Sequence, residues 1–183
     1  MKKIPFQIDE LKFINEFFDG EMCLCGGMAD FIHTGYSEIA DIDLLIKSSA
    51  FIRSMNIVSI EESSVIKKYN FNIERIFHSF LPDLTPHEYF YAGLYNKIYP
   101  IDIFIVDNLN DTVFLPQHNI KKYGINIVSP HDRIDKCQKT LLAKEDNASK
   151  SSLEWLRNKK QKSRDKLKLY KKLYSDIYDT FYL

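Results

Sequence analysis

The chain has 183 residues with 45% hydrophobic content, and its 25 basic residues balance its 25 acidic residues. This length and composition predict one domain with a real core, and the zero net charge gives no global attraction to nucleic acid. Because the chain has three cysteines, no apolar leader and no apolar run of membrane-spanning length, we expect a cytoplasmic protein without a membrane partner.

The first third of the chain predicts alternating helices and strands. Gly20 and Gly35 follow apolar patterns of helical period and therefore predict helix ends. The predicted elements, in chain order, are a helix over 6–18, a strand over 21–25, a helix over 28–34, a strand over 41–46 and a helix from about 48 to 55.

The rest of the chain predicts a strand-rich segment followed by helices. Residues 57–60 and 71–77 are strand-like in patches, and Asp107 and Asp111 lie in a segment typical of turns. The later predicted elements are a hairpin of strands over 88–95 and 98–106 that turns at Asn96-Lys97, a connector over 116–124, a strand over 124–129, a helix over 131–144 that begins at Ser129-Pro130, and a basic helix over 153–178.

A glycine pair, Gly26-Gly27, ends the apolar strand and predicts a tight turn into the following helix. The first turn of that helix has free backbone N–H groups and the positive end of the helix dipole, which together suit a phosphate. Cys23 and Cys25 precede the pair, but Cys-x-Cys without a second pair is a weak zinc pattern. We therefore expect both cysteines to be small buried residues.

Three aspartates interrupt strand-like sequence. Asp41 and Asp43 share one strand face because side chains alternate with a period of two, and two carboxylates that close repel each other unless a cation lies between them. A hard divalent ion such as Mg²⁺ is the usual solution. Asp102 lies within the most strand-like run of the chain, where a lone charge is costly to bury and therefore needs a partner.

The glycine pair Gly26-Gly27, the Asp41-Ile42-Asp43 motif and the later Asp102 resemble the signature of the DNA polymerase β-type nucleotidyltransferase superfamily. The resemblance covers about residues 20–110. It implies an α/β (α+β) fold with a small mixed sheet flanked by helices and a C-terminal helical extension. We expect the core to span residues 1–112 and the extension, residues 113–183, to pack on it.

The resemblance also implies an enzyme that moves a nucleoside monophosphate from a nucleoside triphosphate to a hydroxyl. Asp41, Asp43 and Asp102 would be the catalytic residues and the ligands of Mg²⁺ or Mn²⁺. Gly26 and Gly27 would allow the backbone to approach the nucleotide phosphates.

Basic residues of the C-terminal helices would neutralise the phosphates, and we assign this role to Lys139 and Lys162. The wider set in the corresponding region is Lys136, Lys139, Arg157, Lys162 and Asp165. Any one of these residues is also compatible with a solvated helix face. Near the glycine pair, we expect Asp30 and His33 to face solvent, and contact with a nucleotide is the alternative.

Small members of the superfamily include antibiotic-modifying enzymes and abortive-infection toxins, so the acceptor could be RNA, a protein or a small molecule. The basic C-terminal helix slightly favours RNA. Two alternatives remain open. Met28 stands where family members often carry a hydroxyl, which is compatible with a catalytically inactive module that binds a nucleotide or a partner. The chain could also be an α/β interaction protein whose acids are only structural, and a homodimer interface on the aromatic C-terminal helix would support that alternative.

Overall fold

The computed structural model describes residues 8–55, 72–80, 88–95, 100–106, 114–143 and 150–179. The helices are α1 (Ile8–Phe17), α2 (Gly26–Thr34), α3 (Ser48–Met55), α4 (Pro130–Leu142), α5 (Lys150–Leu173) and α6 (Ser175–Asp179). The strands are β1 (Met22–Cys25), β2 (Ile42–Lys47), β3 (Asn72–Phe80), β4 (Glu88–Tyr95), β5 (Pro100–Val106), β6 (Asn119–Lys122) and β7 (Ile125–Val128).

The strands form a seven-stranded sheet in the order β3-β4-β5-β2-β1-β7-β6. β2 pairs with β5, and β1 with β7, in parallel, whereas the remaining pairs are antiparallel. This mixed sheet with flanking helices confirms the predicted α/β fold class. The two strands β6 and β7 belong to the same sheet as the strands before residue 112, and the domain division at that residue stays a prediction.

The main core lies between this sheet and the first helices. On β2, side chains alternate between buried and partly buried positions, with Ile42, Leu44 and Ile46 facing the core. Leu11 and Ile14 of α1 pack in the same cluster. The sequence of β2 has apolar residues with a period of two, and that of α1 has them at helical spacing. The residues that these patterns predict to be buried are the ones that pack in the core.

The predicted connector over 116–124 is wrong, because the structure has a strand there. β6 forms a hairpin with β7 through Tyr123 and Gly124, which have φ values of 57° and 83°. Positive φ at both central residues is typical of a type I′ hairpin turn. The strand pattern is hard to see in the sequence because β6 is an edge strand whose Lys121 and Lys122 are exposed.

Other predicted boundaries differ by a few residues or lie outside the described residues. The final predicted helix is divided into α5 and α6. The strand-like patch at 57–60, the Asn96-Lys97 turn, and Asp107 and Asp111 fall outside the residues that the structure describes. Within the described ranges, no helix combines the length and the apolar character that crossing a membrane requires.

A buried ion-pair network attaches α4 and α5 to α2. Asp30 of α2 is fully buried and accepts hydrogen bonds from Nε and Nη2 of Arg133, both at 2.8 Å. The Lys166 ammonium lies 2.7 Å from Oδ2 of the same carboxylate, and the Tyr170 hydroxyl donates to Oδ1 at 2.9 Å. Burial alone would raise the pKa of Asp30, but the charge and hydrogen bonds of Arg133, and then of Lys166, lower it.

The expectation that Asp30 and His33 face solvent is wrong. His33 is buried, and its Nε2 donates to the Val128 carbonyl at 2.8 Å. The Tyr174 hydroxyl in turn donates to the His33 carbonyl at 3.4 Å. Both polar residues of α2 therefore hold neighbouring elements together, and burial lowers the pKa of the His33 imidazole.

Replacing Asp30 with Asn is expected to destabilise the protein by about 3–5 kcal/mol, because it leaves the Arg133 and Lys166 charges without a counter-charge in a buried position. Equilibrium urea unfolding measures the change. The matched control is Asp165→Asn on α5, which removes an exposed carboxylate that binds Gln161 and Lys168. The control should cost much less, because solvent screens an exposed ion pair. Equal losses in the two variants would contradict a special role for Asp30.

Candidate active site

Strand pairing brings the three predicted aspartates together. Asp43 of β2 and Asp102 of β5 are direct partners in the parallel ladder, and Asp41 lies one residue before β2. One ligand atom from each of the three carboxylates lies within 4.8 Å of the others. Among the described residues, this is the one group of at least three His, Cys, Asp or Glu side chains with the spacing of a metal site.

The carboxylates of the cluster repel one another, and Asp43 shows the effect. Burial first, and then the charges of Asp41 and Asp102, raise the pKa of Asp43 from 3.8 to about 6. Arg133 and Lys159 act in the opposite direction without cancelling this effect. Three clustered carboxylates whose mutual repulsion is only partly relieved by cationic side chains match the oxygen ligands that Mg²⁺ prefers.

Gly26 is required at its position by the Asp43 side chain. Gly26 begins α2 with a φ of 63°, and a Cβ atom built on it would overlap the Asp43 carboxylate. At Gly27 the nearest atom to a Cβ would be the Glu38 carbonyl oxygen at 3.8 Å, which is an ordinary contact. The sequence predicts a role for both glycines at the phosphates, whereas the structure adds that Gly26 leaves space for an acid.

The start of α2 offers backbone donors beside the carboxylates. Its N-cap residue is Cys25, whose side chain makes no capping hydrogen bond. Burial, followed by the charge of Asp43, raises the pKa of the Cys25 thiol, so the residue is neutral at physiological pH. Met28, in the first turn of the helix, is fully buried and packs in the main core.

Lys159 of α5 interacts electrostatically with the acid cluster, and Lys136 of α4 interacts with Lys159. Desolvation lowers the pKa of Lys159 on α5, and the charges of Asp43 and Asp41 oppose this change. Desolvation, and then the charges of Arg133 and Lys159, also lower the pKa of Lys136 on α4. Cationic groups from α4 and α5 therefore act on the same electrostatic environment as the acid cluster.

The two lysines assigned from the sequence have other partners in the structure. Lys139 is exposed and pairs with Asp135 on its own helix at 2.7 Å, and the Lys162 ammonium lies 3.8 Å from a Glu38 carboxylate oxygen. Their role at a nucleotide stays a prediction. Lys159 was missed because the sequence of α5 is uniformly rich in lysine. The contacts of Lys166 and Tyr170 with Asp30, further along the helix, show which face of α5 is turned inward.

Replacing Gly26 with Ala is expected to destabilise the protein by at least about 1 kcal/mol, because the added Cβ is strained at positive φ and displaces the Asp43 carboxylate. The control is Gly27→Ala, where the Cβ has room and a helix position favours alanine. Urea unfolding of both variants compares them. A Gly26→Ala protein as stable as Gly27→Ala would mean that the carboxylate is not held where the structure has it.

Replacing Asp43 with Asn is expected to stabilise the metal-free protein at pH 7.5 but not at pH 4. The folded pKa, about 6, lies above the ordinary 3.8, so ionisation of Asp43 costs folding free energy that is absent below pH 4 and fully present above pH 6. The cost is at most about 3 kcal/mol, and less where solvent reaches the carboxylate. Thermal unfolding in the presence of a chelator at the two pH values tests it. A difference independent of pH would contradict the raised pKa.

Comparison with known proteins gives structural similarity only. No protein-family model matches the chain, and no curated protein matches it. A candidate nucleotidyltransferase from Thermotoga maritima is 12% identical with a TM-score of 0.41, and the similarity covers 73% of this chain and 91% of that one.

Two proteins from Helicobacter pylori are similar to a comparable degree. A candidate nucleotidyltransferase is 14% identical with a TM-score of 0.40 over 78% of this chain and 60% of that one. The protein JHP933 is 11% identical with a TM-score of 0.40 over 96% of this chain and 76% of that one. At these identities and TM-scores the likeness carries no argument about the activity of this chain.

Proposed function

We propose that the protein is an Mg²⁺-dependent or Mn²⁺-dependent nucleotidyltransferase, which moves a nucleoside monophosphate from a nucleoside triphosphate to a hydroxyl of an acceptor. The observation that carries the proposal is the convergence of Asp41, Asp43 and Asp102, with ligand atoms within 4.8 Å of one another, beside the glycine at the start of α2. The likeness to solved structures adds no weight, because the argument depends on these side chains.

The three carboxylates would share the work of binding and proton transfer. Bound divalent ions would supply charge neutralisation for the triphosphate and activation of the attacking hydroxyl. Asp41 and Asp43, which share one face of the strand, would hold these ions between them. Asp102, from the neighbouring strand, would complete the ligand set, orient the acceptor hydroxyl and accept its proton.

The start of α2 and the lysines would hold the phosphates. The first backbone N–H groups of α2, at Gly26 and Gly27, have no acceptor within the helix and lie at the positive end of its dipole, which favours an anion. Lys159, whose pKa responds to Asp43 and Asp41, and Lys136, whose pKa responds to Lys159, would neutralise charge that develops on the leaving group. Lys139 and Lys162 remain candidates for the same role through movement of their side chains.

The reaction would form one bond and break one bond at the α-phosphorus. The acceptor oxygen attacks this atom, and the bond from the α-phosphorus to the oxygen that bridges it to the β-phosphorus breaks. Pyrophosphate leaves with the bonding electron pair, and the proton of the acceptor hydroxyl passes to Asp102 or to water. Among possible acceptors, RNA is favoured over a protein or a small molecule, because α5 carries ten basic and two acidic residues.

A catalytically inactive nucleotide-binding module is the second candidate. It is favoured by Met28, whose apolar side chain packs in the core, so that position 28 offers no hydroxyl to a phosphate. Such a protein would bind a nucleotide through the same acids and backbone donors. It would release no pyrophosphate with any acceptor.

The proposal predicts that Mg²⁺ or Mn²⁺ together with a nucleoside triphosphate raises the melting temperature by several degrees, as expected for a ligand at about a hundred times its dissociation constant. Asp43→Ala should abolish this shift, because it removes a central ligand of the cation. The measurement is thermal unfolding with each of the four triphosphates, with and without the metal, followed by an assay for pyrophosphate release in the presence of RNA.

The matched control is Asp9→Ala, which removes an exposed carboxylate from α1 and should leave the shift intact. A shift without pyrophosphate release would support the inactive module. No shift with any triphosphate and metal would refute both candidates and leave the interaction protein.

A further inference from the structure

Trp155 of α5 is an exposed aromatic side chain next to Lys159. It is the only tryptophan of the chain, and 53% of its surface is exposed. The Lys159 ammonium, one helical turn further on, lies 4.2 Å from the centre of the indole. The charge of Lys159 interacts with those of Asp43 and Asp41, so Lys159 connects the indole to the acid cluster.

The contacts of α5 show where Trp155 lies relative to α2. Lys166 contacts Asp30 in the middle of α2, and Tyr174, just beyond the end of α5, contacts the His33 carbonyl near the end of α2. The two helices therefore run in the same direction. Trp155 precedes Lys166 by eleven residues, or about 16 Å along a helix, whereas Asp30 is only four residues from the start of α2. Trp155 therefore lies beyond the start of α2, at the end where the carboxylates lie.

We infer that Trp155 is the stacking platform for the base of the nucleoside triphosphate, and that Lys159 moves from the indole to a phosphate when the nucleotide binds. This inference rests on the proposed function. A nucleotide combines an aromatic ring with anionic phosphates, and an indole beside an ammonium is complementary to both parts.

A role as a stacking platform accounts for the exposure of the Trp155 side chain. A large indole that stays half exposed, on a helix otherwise rich in charged residues, leaves about half of its surface available to a ligand. Stacking on an aromatic side chain tolerates every base, because every base has a π face. The structure therefore assigns to Trp155 a role in binding nucleotides as a class, without discrimination among the four bases.

The experiment uses the single tryptophan as its own reporter. Intrinsic fluorescence is titrated with each of the four nucleoside triphosphates in Mg²⁺, and with Mg²⁺ and inorganic tripolyphosphate, which has the phosphates but no base. Free N-acetyltryptophanamide corrects for absorption by the nucleotides. The expected result is quenching by all four nucleotides and none by tripolyphosphate, although thermal unfolding detects binding of both.

Variants at position 155 test how much stacking contributes to the binding affinity, independently of the fluorescence signal. Trp155→Ala should weaken nucleotide binding about tenfold and leave tripolyphosphate binding unchanged, whereas Trp155→Phe should retain most of the affinity. The control is Tyr123→Asn, which removes another exposed aromatic with a lysine, Lys122, over its ring at 5.3 Å. Tyr123 precedes β7, which is parallel to β1, so it lies at the end of the sheet opposite Cys25.

The outcomes distinguish this inference from the function on which it rests. If nucleotides and tripolyphosphate bind in a manner that depends on Asp43, but neither quenches Trp155 and Trp155→Ala binds as the unaltered protein does, the inference fails and the proposed function stands. If single-stranded RNA quenches and nucleotides do not, the residue contacts the acceptor and the inference fails. If none of these ligands binds, both fail.

Discussion

The placement of α4 and α5 depends on one buried carboxylate. Asp30 accepts four hydrogen bonds, from Arg133, Lys166 and Tyr170, and all of these donors come from the C-terminal helices. A charge in the core is tolerated only when it is fully paired, so the network permits very little sliding of these helices along α2. The same arrangement brings Lys159 towards the acid cluster, because Lys159 lies about two helical turns before Lys166 on the same side of α5.

The surroundings of Asp30 on α2 and of Asp43 on β2 differ. The difference distinguishes a carboxylate that stabilises the fold from one that is a candidate metal ligand. Arg133 and Lys166 more than offset the burial of Asp30, and the pKa of Asp30 is lowered. Asp43 is surrounded by other carboxylates as well as protein, and its pKa is raised. A group with unrelieved repulsion in the folded state is the one that gains most from a cation, whereas a fully paired group has little to gain.

The sequence predicts those features whose cause is local. Alternation along β2 and the apolar run around Asp102 place the acids on strands, and the structure pairs those strands. The environment of Asp30 has no local cause, because two of its partners lie 103 and 140 residues away. The sequence of α5 contains many lysines, which differ only in the part of the structure that each one faces. The sequence alone therefore does not distinguish Lys159 from Lys162. The edge strand β6 could not be predicted from the sequence, because most of its residues are polar.

The direct pairing of Asp43 with Asp102 has a consequence for how this protein can vary in evolution. Because successive side chains on a strand point to opposite sides, one inserted or deleted residue within β5 would turn the Asp102 carboxylate to the other surface of the sheet. Insertions in the segments that join the strands leave the hydrogen-bonded ladder in place and are tolerated far better. Natural length variation among descendants of this chain should therefore be confined to its connections, while the spacing inside the two parallel strands stays invariant.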